Sequence, residues 1–586
     1  FPRIKARIRS FSLITCSKSQ SALSVSMCGI FAVCHDPSRP CAKYDVGKAQ
    51  EHSLRQYHRG PDCRGSYVHP QTGDILCHER LAIMDLSCVQ PLMGSSQDHQ
   101  VVHNGEIYNH VSLRKNELAD KQLRTTCDSE VIIFLYEKLR DGSFCNLLDG
   151  VFAFALICDG EFMAARDPLG VKQMYYGIDR EGRYLFSNEM KSIEDITGET
   201  KLAPFPPGHY YQPDKGFVRY YQPLWFDHRL CTKDADLTLL RQSLIDATIK
   251  RLMSDAPIAI LLSGGLDSSL VSAIAAREMR RLGLPIHSFA VGVDGNSPDA
   301  VAARTVAKFI GTDHHEVHFT LEEGIAIIDK LVWHLETYDV TSIRASTPMY
   351  ILSEYIRKMG IKVVLSGEGS DEIFGGYLYF HNAPNEEEFQ KETIERVLHL
   401  YTADCLRADK SCMAHSVEVR VPFLDKKFLD VSIMTKPHDK QPKAFMGRNV
   451  EKYLIRKAFD VEEDPYLPRE ILWRQKEQFS DGVGYSWIDG LIGFCASQIT
   501  DEELASASST FPINTPHSKE ALYMRKIFHK HFPSDEAART VRKWIPKWQA
   551  NQDPSGRASL VHLNSTASPA DKPAHQSIPQ GRTQHA

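Results

Sequence analysis

The 586-residue chain lacks three features that would place it in other classes of protein. No apolar run reaches the roughly 18 residues that a membrane-spanning helix needs, which excludes a membrane-embedded protein. No GxxxxGK[ST] sequence occurs, so a Walker loop is absent. The 14 cysteines include no CxxC pair, and this pattern favours reduced intracellular thiols over a disulfide framework.

A strong charge of one sign is also lacking, except at the amino terminus. The net charge is −5, and because five basic and no acidic residues lie in the first 26, the remainder carries −10. An acidic body argues against nonspecific nucleic-acid binding. Residues 1–27 are expected to be removed from, or absent in, the active protein. Residues 1–26 resemble an organelle transit peptide. The favoured interpretation, however, is that this segment is an artefact of gene prediction and that the protein is cytoplasmic.

A zinc-binding helix motif is incomplete. His315-Glu316-Val317-His318 is one residue shorter than the HExxH motif. Together with His314 these histidines could line one face of a strand. Metal binding there is the weaker alternative to ordinary histidines.

Cys28 follows Met27 in the sequence MCGIF. Removal of every residue through Met27 would give Cys28 both a thiol and a free α-amine. An α-amine has a pKa near 8, so at neutral pH a useful fraction can take the proton of the thiol. The sequence therefore allows an N-terminal nucleophile, and the alternative is an ordinary buried cysteine before a strand.

Closely spaced short strands are typical of residues 28–213, with helices expected at 42–58 and 128–140. This pattern predicts an antiparallel β-sandwich flanked by helices. Residues 214–236 are rich in turn formers and are interpreted as a connection.

Strands and helices alternate from residue 237, which predicts a doubly wound parallel sheet in a second domain, 237–545. Ligands of such sheets bind at the carboxyl ends of the strands. The polar residues 546–586 are expected to be disordered. The fold class is therefore α/β and α+β in two domains.

Two polar loops follow strands of this predicted sheet. The first, SGGLDSS (263–269), offers two glycines, three hydroxyls and a helix N-terminus to a phosphate. The second, SGEGSDE (366–372), lies at the same edge, so Asp371 could share a Mg²⁺ ion with Asp267. Glu368 could act as a base or position an amine. Arg344 and Lys476 are cations that could neutralise pyrophosphate.

These motifs together resemble the glutamine-hydrolysing asparagine synthetases over roughly residues 27–545. The resemblance is carried by MCGIFAV (27–33), HRGPD (58–62), HERLAIMD (78–85), HNGEIYN (103–109), RDPLGVKQMYYG (166–177), LLSGGLDSS (261–269), TSIRASTPMY (341–350), LSGEGSDEIFGGY (365–377), SVEVRVPFLD (416–425) and RQKEQFSDGVGY (474–485). It implies an N-terminal-nucleophile (Ntn-type) glutaminase joined to an ATP pyrophosphatase domain. The implied reaction converts aspartate, glutamine and ATP into asparagine, glutamate, AMP and pyrophosphate, with Mg²⁺ as the metal.

The resemblance also implies roles for residues that match the family's motifs. Cys28 would form a γ-glutamyl thioester, with the Asn104 side chain and the Gly105 N–H as its oxyanion hole. Arg80 would bind the α-carboxylate of glutamine, and Glu106 and Asp128 its α-amine. The rest of the glutamine pocket would come from Leu81, Ala82, Ile83 and Met84. ATP would bind Leu262, Ser263, Gly264, Gly265, Asp267, Ser268, Ser269, Val291, Ser366 and Gly367.

Ammonia would then travel inside the protein from Cys28 to a β-aspartyl-AMP intermediate. The small-molecule substrates are the only expected partners, and a homodimer is allowed. Two alternatives stay open. One is a β-lactam-forming or other carboxylate-adenylating ligase with a degenerate glutaminase half, and the other is a non-catalytic protein that keeps the fold.

Overall fold

The computed structural model describes residues 28–35, 41–60, 62–293, 295, 297–476 and 485–549. The predicted leader, the predicted tail from residue 550, and residues 477–484 of the last quoted motif lie outside these ranges. Within them, no helix is long and apolar enough to cross a bilayer. None of the thirteen cysteines in this part of the chain forms a disulfide.

The described residues of the first half form twelve strands. They are β1 (Gly29–Cys34), β2 (Cys63–Val68), β3 (Ile75–Arg80), β4 (Leu92–Met93), β5 (Gln100–Ile107), β6 (Gly150–Cys158), β7 (Glu161–Arg166), β8 (Tyr175–Ile178), β9 (Tyr184–Ser187), β10 (Lys201–Pro204), β11 (His209–Gln212) and β12 (Gly216–Arg219). They pair as two six-stranded sheets, in the orders β10-β8-β9-β1-β3-β2 and β12-β11-β7-β6-β5-β4. All the pairings are antiparallel, as the spacing of the strands predicts.

Burial on both faces explains the continuous apolar sequence of β1. Ile30 and Ala32 belong to a core that also contains residues of the second sheet, such as Ala153. Phe31 and Val33 belong to a separate core on the other face. Because successive side chains of a strand point to opposite faces, a strand buried on both needs apolar residues throughout. This packing fixes Cys28 immediately before β1.

The predicted boundary after residue 213 is wrong. Strand β12, at Gly216–Arg219, pairs with β11 and completes the second antiparallel sheet. The intervening residues 213–215 form a hairpin turn, and Gly216 has a φ of +65°, which favours glycine. The turn composition of this stretch therefore reflects a hairpin, and the connection begins after Arg219.

The second half contains a parallel sheet of five strands: β13 (Ile258–Leu261), β14 (His287–Gly292), β15 (Asp313–His318), β16 (Val363–Leu365) and β17 (Glu418–Arg420). Their order is β15-β14-β13-β16-β17, and every pairing is parallel. A small hairpin adds β18 (Lys443–Phe445) and β19 (Arg448–Val450). The predicted parallel sheet is therefore confirmed. The edge strand β15 starts at Asp313.

The described helices surround these sheets. They are α1 (Val46–Leu54), α2 (His110–Asn116), α3 (Glu130–Leu139), α4 (Glu194–Thr197), α5 (Leu237–Lys250), α6 (Leu266–Arg281), α7 (Pro298–Ile310), α8 (Leu321–Ala326), α9 (Ile328–Leu335), α10 (Val340–Lys358), α11 (Ser370–Phe374), α12 (Glu386–His399), α13 (Asp404–Met413), α14 (Lys426–Ile433), α15 (Pro437–Lys440), α16 (Tyr453–Phe459), α17 (Arg469–Leu472), α18 (Tyr485–Gln498), α19 (Asp501–Ala505), α20 (Ala507–Thr510), α21 (Lys519–His531) and α22 (Asp535–Arg539). Helix α6 begins at Leu266, so the loop SGGLDSS already contains its first turn.

A buried arginine connects the two halves. Arg59 donates from Nε to the carbonyl oxygen of Cys28 at 3.1 Å. Its other nitrogens pair with Glu189 of the first half and Asp409 of the second, both at 3.0 Å. Removing one partner from a buried ion pair costs about 3–5 kcal/mol, so these contacts hold Cys28 firmly against the second domain.

Candidate active site

A cavity beside Cys28 lies at the boundary between the two halves. Most of the predicted glutamine-binding residues line it: Arg80, Leu81, Ile83, Met84, Asn104, Gly105, Glu106 and Asp128. They come from the end of β3, the loop after it, the middle of β5 and the residues before α3. The antiparallel pairing of β1 with β3 brings the first of these segments beside Cys28.

The polar contacts of the Cys28 sulfur come from the backbone of Leu81. The N–H of Leu81 donates to Sγ at 3.3 Å, and the Leu81 carbonyl oxygen lies 3.7 Å from Sγ. Burial raises the pKa of the Cys28 thiol to about 12, although the Leu81 backbone and Arg80 oppose this shift. The thiol is therefore neutral at physiological pH, and a base is needed to make the thiolate nucleophile.

Asn104 and Gly105, the predicted oxyanion hole, line the same cavity as Cys28. The Asn104 side chain is buried, and its Nδ2 has no hydrogen-bond partner among the described residues. An unpaired buried amide normally costs about 1–3 kcal/mol, so its presence in a cavity points to a ligand. Gly105 has a φ of +134°, and a Cβ atom there would lie 2.0 Å from the Val151 carbonyl oxygen. Only glycine fits this position of β5.

The two acids predicted to bind the α-amine differ in their surroundings. Burial raises the pKa of Asp128 to about 6, against the hydrogen bond from the Ile107 N–H at 2.8 Å. Burial also raises the pKa of Glu106, against the opposing charge of Arg420, whose Nη2 lies 2.8 Å from Glu106 Oε1. Glu106 Oε2 has no hydrogen-bond partner among the described residues. With a pKa of about 6, Asp128 is mainly ionised at pH 7.

The loop after β3 is fixed by its own arginine and by the second domain. Arg80 Nη2 donates to the carbonyl oxygens of Met84 and Asp85, at 3.1 and 2.8 Å. Ala82 does not line the cavity, unlike its neighbours in the prediction. Its N–H donates to Asp62 at 2.9 Å, and its carbonyl oxygen accepts from Lys362 at 3.2 Å. The backbone of Ala82 thus anchors the loop without lining the cavity.

Strand β17 supplies residues that the sequence does not reveal. Glu418 lines the Cys28 cavity, although it belongs to the parallel sheet of the second half. It is buried between Lys172, at 3.0 Å, and Arg420, at 2.8 Å. The motif SVEVRVPFLD contains both Glu418 and Arg420, but nothing in its composition assigns them to the glutamine pocket.

A second cavity lies at the carboxyl ends of the parallel strands, where both predicted loops meet. Gly367 shows how closely they approach, because a Cβ atom there would lie 2.6 Å from the backbone nitrogen of Ser268. The predicted residues that line this cavity are Leu262, Ser263, Gly265, Asp267, Ser268, Val291, Ser366, Gly367, Glu368, Asp371 and Lys476.

Two predicted members of the first loop lie behind it instead. A Cβ atom on Gly264, whose φ is +80°, would lie 2.5 Å from the Asp299 carbonyl oxygen. Gly264 therefore lets the loop pack against α7. Ser269 is fully buried in the first turn of α6, and its Oγ has no hydrogen-bond partner among the described residues. Neither residue lines the cavity.

Asp267 and Asp371 come together as predicted, but on a lysine that the sequence did not suggest. The buried Lys452 Nζ lies 2.5 Å from Asp267 Oδ2 and 2.7 Å from Asp371 Oδ1. Lys452 has a φ of +56° just before α16, in a segment with no recognisable motif. Two carboxylates that converge on one cation, with Asp267 Oδ1 left unpaired, suit a site that also receives Mg²⁺.

Burial and neighbouring charges shift the pKa values of two acids in this cavity. Burial would raise the pKa of Asp371, but Lys452 and Lys476 outweigh it and lower this pKa to about 2. Lys476 Nζ lies 3.2 Å from Asp371 Oδ2. Burial raises the pKa of Glu368 to about 7, although Arg407 lies 2.6 Å away and opposes the shift. Glu368 is therefore poised to exchange a proton near neutral pH.

The structure places Arg344 outside this cavity. Arg344 lies on α10, where its guanidinium is buried against the Glu520 carboxylate at 2.6 and 2.9 Å. Among the described residues, the charge of Arg344 is therefore paired with Glu520, and its predicted role as a pyrophosphate cation stays a prediction. Arg474 lines the cavity, with its guanidinium 2.6 Å from Asp299.

Comparison with known proteins agrees with this arrangement. The asparagine synthase family matches residues 239–391 and 382–561, and the glutamine amidotransferase domain family matches residues 27–206. A probable glutamine-hydrolysing asparagine synthetase from Dictyostelium discoideum is 49% identical over 569 residues, covering 92% of this chain and all of that protein. This chain belongs to the asparagine synthetase family.

Relatives from plants are similar to the same extent. Asparagine synthetase 2 from Lotus japonicus is 48% identical over 92% of this chain and 94% of its own length. The asparagine synthetase of Asparagus officinalis is 47% identical over 95% of this chain and 96% of its own length. The family therefore accounts for both cavities in one chain, a glutamine amidotransferase half and an ATP-dependent half.

Proposed function

We propose that this chain synthesises asparagine from aspartate, with ATP as the source of energy and glutamine as the source of nitrogen. The observation that carries the proposal is that one chain contains two cavities, each lined by residues that suit one half of the reaction. One holds a cysteine beside an unpaired amide donor, and the other holds two carboxylates, one on each of two loops that meet at the end of the parallel sheet. Neither cavity alone distinguishes this enzyme from other amidotransferases or adenylating ligases.

In the first cavity, Cys28 Sγ attacks the amide carbon of glutamine. The developing oxyanion is stabilised by Asn104 Nδ2 and the Gly105 N–H, a type of contact worth about 3–4 kcal/mol per donor. Ammonia leaves, and water hydrolyses the thioester to glutamate. Both polar contacts of the sulfur come from the Leu81 backbone, so the α-amine exposed by removing residues 1–27 is the base that we propose.

In the second cavity, we propose that Asp267 and Asp371 hold Mg²⁺. When bound, Mg²⁺ neutralises phosphate charge and orients the nucleotide for attack at the α-phosphorus. The loop backbone from Ser263 to Ser268 and the N-terminus of α6 bind phosphate oxygens. Lys452 and Lys476 balance the charge of the departing pyrophosphate.

A β-carboxylate oxygen of aspartate attacks the α-phosphorus of ATP, and pyrophosphate leaves. This step turns a poor oxide leaving group into AMP. Ammonia then attacks the β-carbonyl carbon, AMP leaves, and a proton is lost from the new amide nitrogen. Glu368 takes this proton, because its pKa of about 7 lets it accept a proton at neutral pH.

Strand β17 supports an internal path for ammonia between the cavities. Glu418, at its start, lines the glutamine cavity. Arg420, at its end, accepts a 2.9 Å hydrogen bond from Ser366 of the ATP loop through its carbonyl oxygen. One three-residue strand therefore lines the glutamine cavity and is hydrogen-bonded to a loop of the ATP cavity. A closed path would keep ammonia away from water, which would otherwise protonate it.

The decisive experiment supplies amide-¹⁵N glutamine, aspartate and ATP-Mg²⁺ to the protein cut to Cys28. We expect ¹⁵N-asparagine together with AMP. ADP, or ¹⁵N in another product, overturns the proposal. The protein with residues 1–27 attached should retain ammonia-dependent synthesis and lose glutamine-dependent synthesis, and equal glutamine-dependent rates would refute the role of the α-amine.

We propose that the enzyme works in the cytoplasm. The lack of disulfides among the thirteen described cysteines supports a reducing compartment. Fractionation of cells with an antibody against the chain tests this, and enrichment in an organelle would favour import through residues 1–26.

A further inference from the structure

Three side chains that the synthetase reaction does not use form a compact cluster at the opposite end of the parallel sheet from the ATP loops. His287 and Asp313 are the first residues of β14 and β15, and they lie directly opposite each other in the register. His315 follows two residues after Asp313, so it points to the same face of the edge strand. The backbone of two paired strands therefore positions all three side chains.

The donor atoms of the cluster form a nearly equilateral triangle. His287 Nδ1 lies 3.1 Å from His315 Nε2 and 3.0 Å from Asp313 Oδ2. His315 Nε2 lies 3.4 Å from Asp313 Oδ2. Ligands at 2.0–2.2 Å from a tetrahedral zinc ion are separated by about 3.3–3.5 Å, so these distances suit one shared cation with little adjustment.

While the Asp313 carboxylate is ionised, hydrogen bonds alone cannot make all three contacts between these donor atoms attractive. If His287 Nδ1 carries a hydrogen and His315 Nε2 does not, the His315 lone pair faces the Asp313 carboxylate. The opposite tautomers bring a His287 lone pair against the same carboxylate, and hydrogens on both nitrogens face each other. With Asp313 ionised, at least one edge is therefore repulsive whichever ring nitrogens carry a hydrogen, whereas a central cation makes all three lone pairs attractive.

We propose that His287, Asp313 and His315 bind a divalent cation of the zinc type at the amino end of the parallel sheet. Two imidazoles and one carboxylate form a donor set that suits zinc and similar transition metals better than Mg²⁺. The side chains of His287, Asp313 and His315 are 34%, 64% and 21% exposed, so water can complete the coordination. The stacking of His315 on Phe289, with ring centroids 4.9 Å apart, fixes one ligand ring.

The cation would tie the edge strand β15 to β14. This site differs from the sequence-based alternative of His314, His315 and His318. Those three residues do not share a face, because His315 lies on the opposite side of β15 from His314 and His318. His314 instead contacts Ser288 Oγ at 2.8 Å, and His318 lies 3.9 Å from Glu316.

Zinc titration of the chelator-treated full chain, monitored by calorimetry with Mg²⁺ in excess, tests the proposal. We expect one equivalent of Zn²⁺ to bind. Asp313→Asn should weaken binding by about tenfold or more, since even changes outside the ligand set cost 10–100-fold. Asp313 is the most exposed of the three, so this variant should fold normally. The matched control His318→Gln changes a histidine on the other face of β15 and should bind like the wild type.

Two further measurements locate the ion. A crystal soaked in Zn²⁺ should show anomalous density among the three donor atoms. The Co²⁺ complex should lack a thiolate charge-transfer band, because the donor set contains no sulfur. Unchanged zinc stoichiometry in the His287→Ala, His315→Ala double variant, density at another place, or a thiolate band would each overturn the proposal.

Discussion

Asn104→Ala should separate glutamine use from ammonia use, because Asn104 belongs to the first cavity alone. Asn104 Nδ2 is buried and has no hydrogen-bond partner among the described residues, so its amide is available only to a bound ligand. Removal of one oxyanion donor costs about 2.7–4 kcal/mol in other enzymes, which is a 100- to 1000-fold loss in kcat. We expect that loss in glutamine-dependent synthesis and in glutamine hydrolysis.

The same substitution should leave the fold intact, because it removes an unsatisfied buried group rather than a contact. The melting temperature should stay the same or rise, since an unpaired buried amide costs about 1–3 kcal/mol. Synthesis with ammonium chloride in place of glutamine should change less than about twofold. The assay measures AMP and asparagine with each nitrogen source, using protein cut to Cys28.

Asn109→Ala is the matched control. Asn109 donates to the Leu147 carbonyl oxygen at 2.8 Å and accepts from the Asp149 N–H at 2.9 Å, so its role is structural. Its loss should lower the melting temperature without changing the ratio of glutamine-dependent to ammonia-dependent rates. If Asn104→Ala loses both rates equally, or if it destabilises the fold as Asn109→Ala does, the oxyanion role is refuted.

Three further predictions concern the second cavity, and aspartate-dependent exchange of pyrophosphate into ATP measures two of them. Gly367→Ala should abolish this exchange and spare glutamine hydrolysis, because its Cβ would lie 2.6 Å from the Ser268 backbone nitrogen. Gly493→Ala is the control, because a Cβ atom there meets nothing within 4 Å. Normal exchange in Gly367→Ala would contradict this account of the packing. The rate of ammonia-dependent asparagine synthesis, measured with chemistry rate-limiting and free NH₃ held constant, should fall as the pH drops through about 7, because Glu368 must be ionised to accept a proton. The pH–rate profile of Glu368→Gln should lack this fall. A fall that is the same in the variant and the wild type would exclude Glu368 as its source. Lys452→Met should lower the melting temperature by roughly 10 °C and weaken exchange, because two partly buried carboxylates lose their shared, buried cation. The exposed Lys457→Met should change neither, and equal behaviour of the two variants would contradict the role of Lys452.

The sequence predicts the fold and the meeting of the two loops for definite physical reasons. Asp267 and Asp371 each follow a strand of one parallel sheet, and the carboxyl ends of such strands share an edge. The apolar runs before both loops make those strands recognisable. The apolar run after Cys28 likewise predicts a strand there, whereas the place of Cys28 beside the loop that follows Arg80 is implied only by the family resemblance.

Other features follow from packing that a single sequence does not display. Lys452 reaches the two aspartates from an irregular segment 185 residues after Asp267, and its charge alone resembles that of any solvated lysine. Glu418 reaches the glutamine cavity because two domains pack together. Arg344 pairs with Glu520, which lies on α21 far along the chain, and does not line the ATP cavity. The hairpin at β12 has the composition of a linker, so only its pairing with β11 shows that it belongs to the sheet.

Transfer of oxygen from aspartate to AMP tests the central claim most directly. The protein cut to Cys28 is given aspartate labelled with ¹⁸O in its β-carboxylate, amide-¹⁵N glutamine and ATP-Mg²⁺, and the products are analysed by mass spectrometry. The proposed mechanism predicts AMP that carries one ¹⁸O atom and asparagine that carries ¹⁵N in its side-chain amide. Unlabelled AMP, or ADP as the nucleotide product, would contradict an aspartyl-adenylate intermediate.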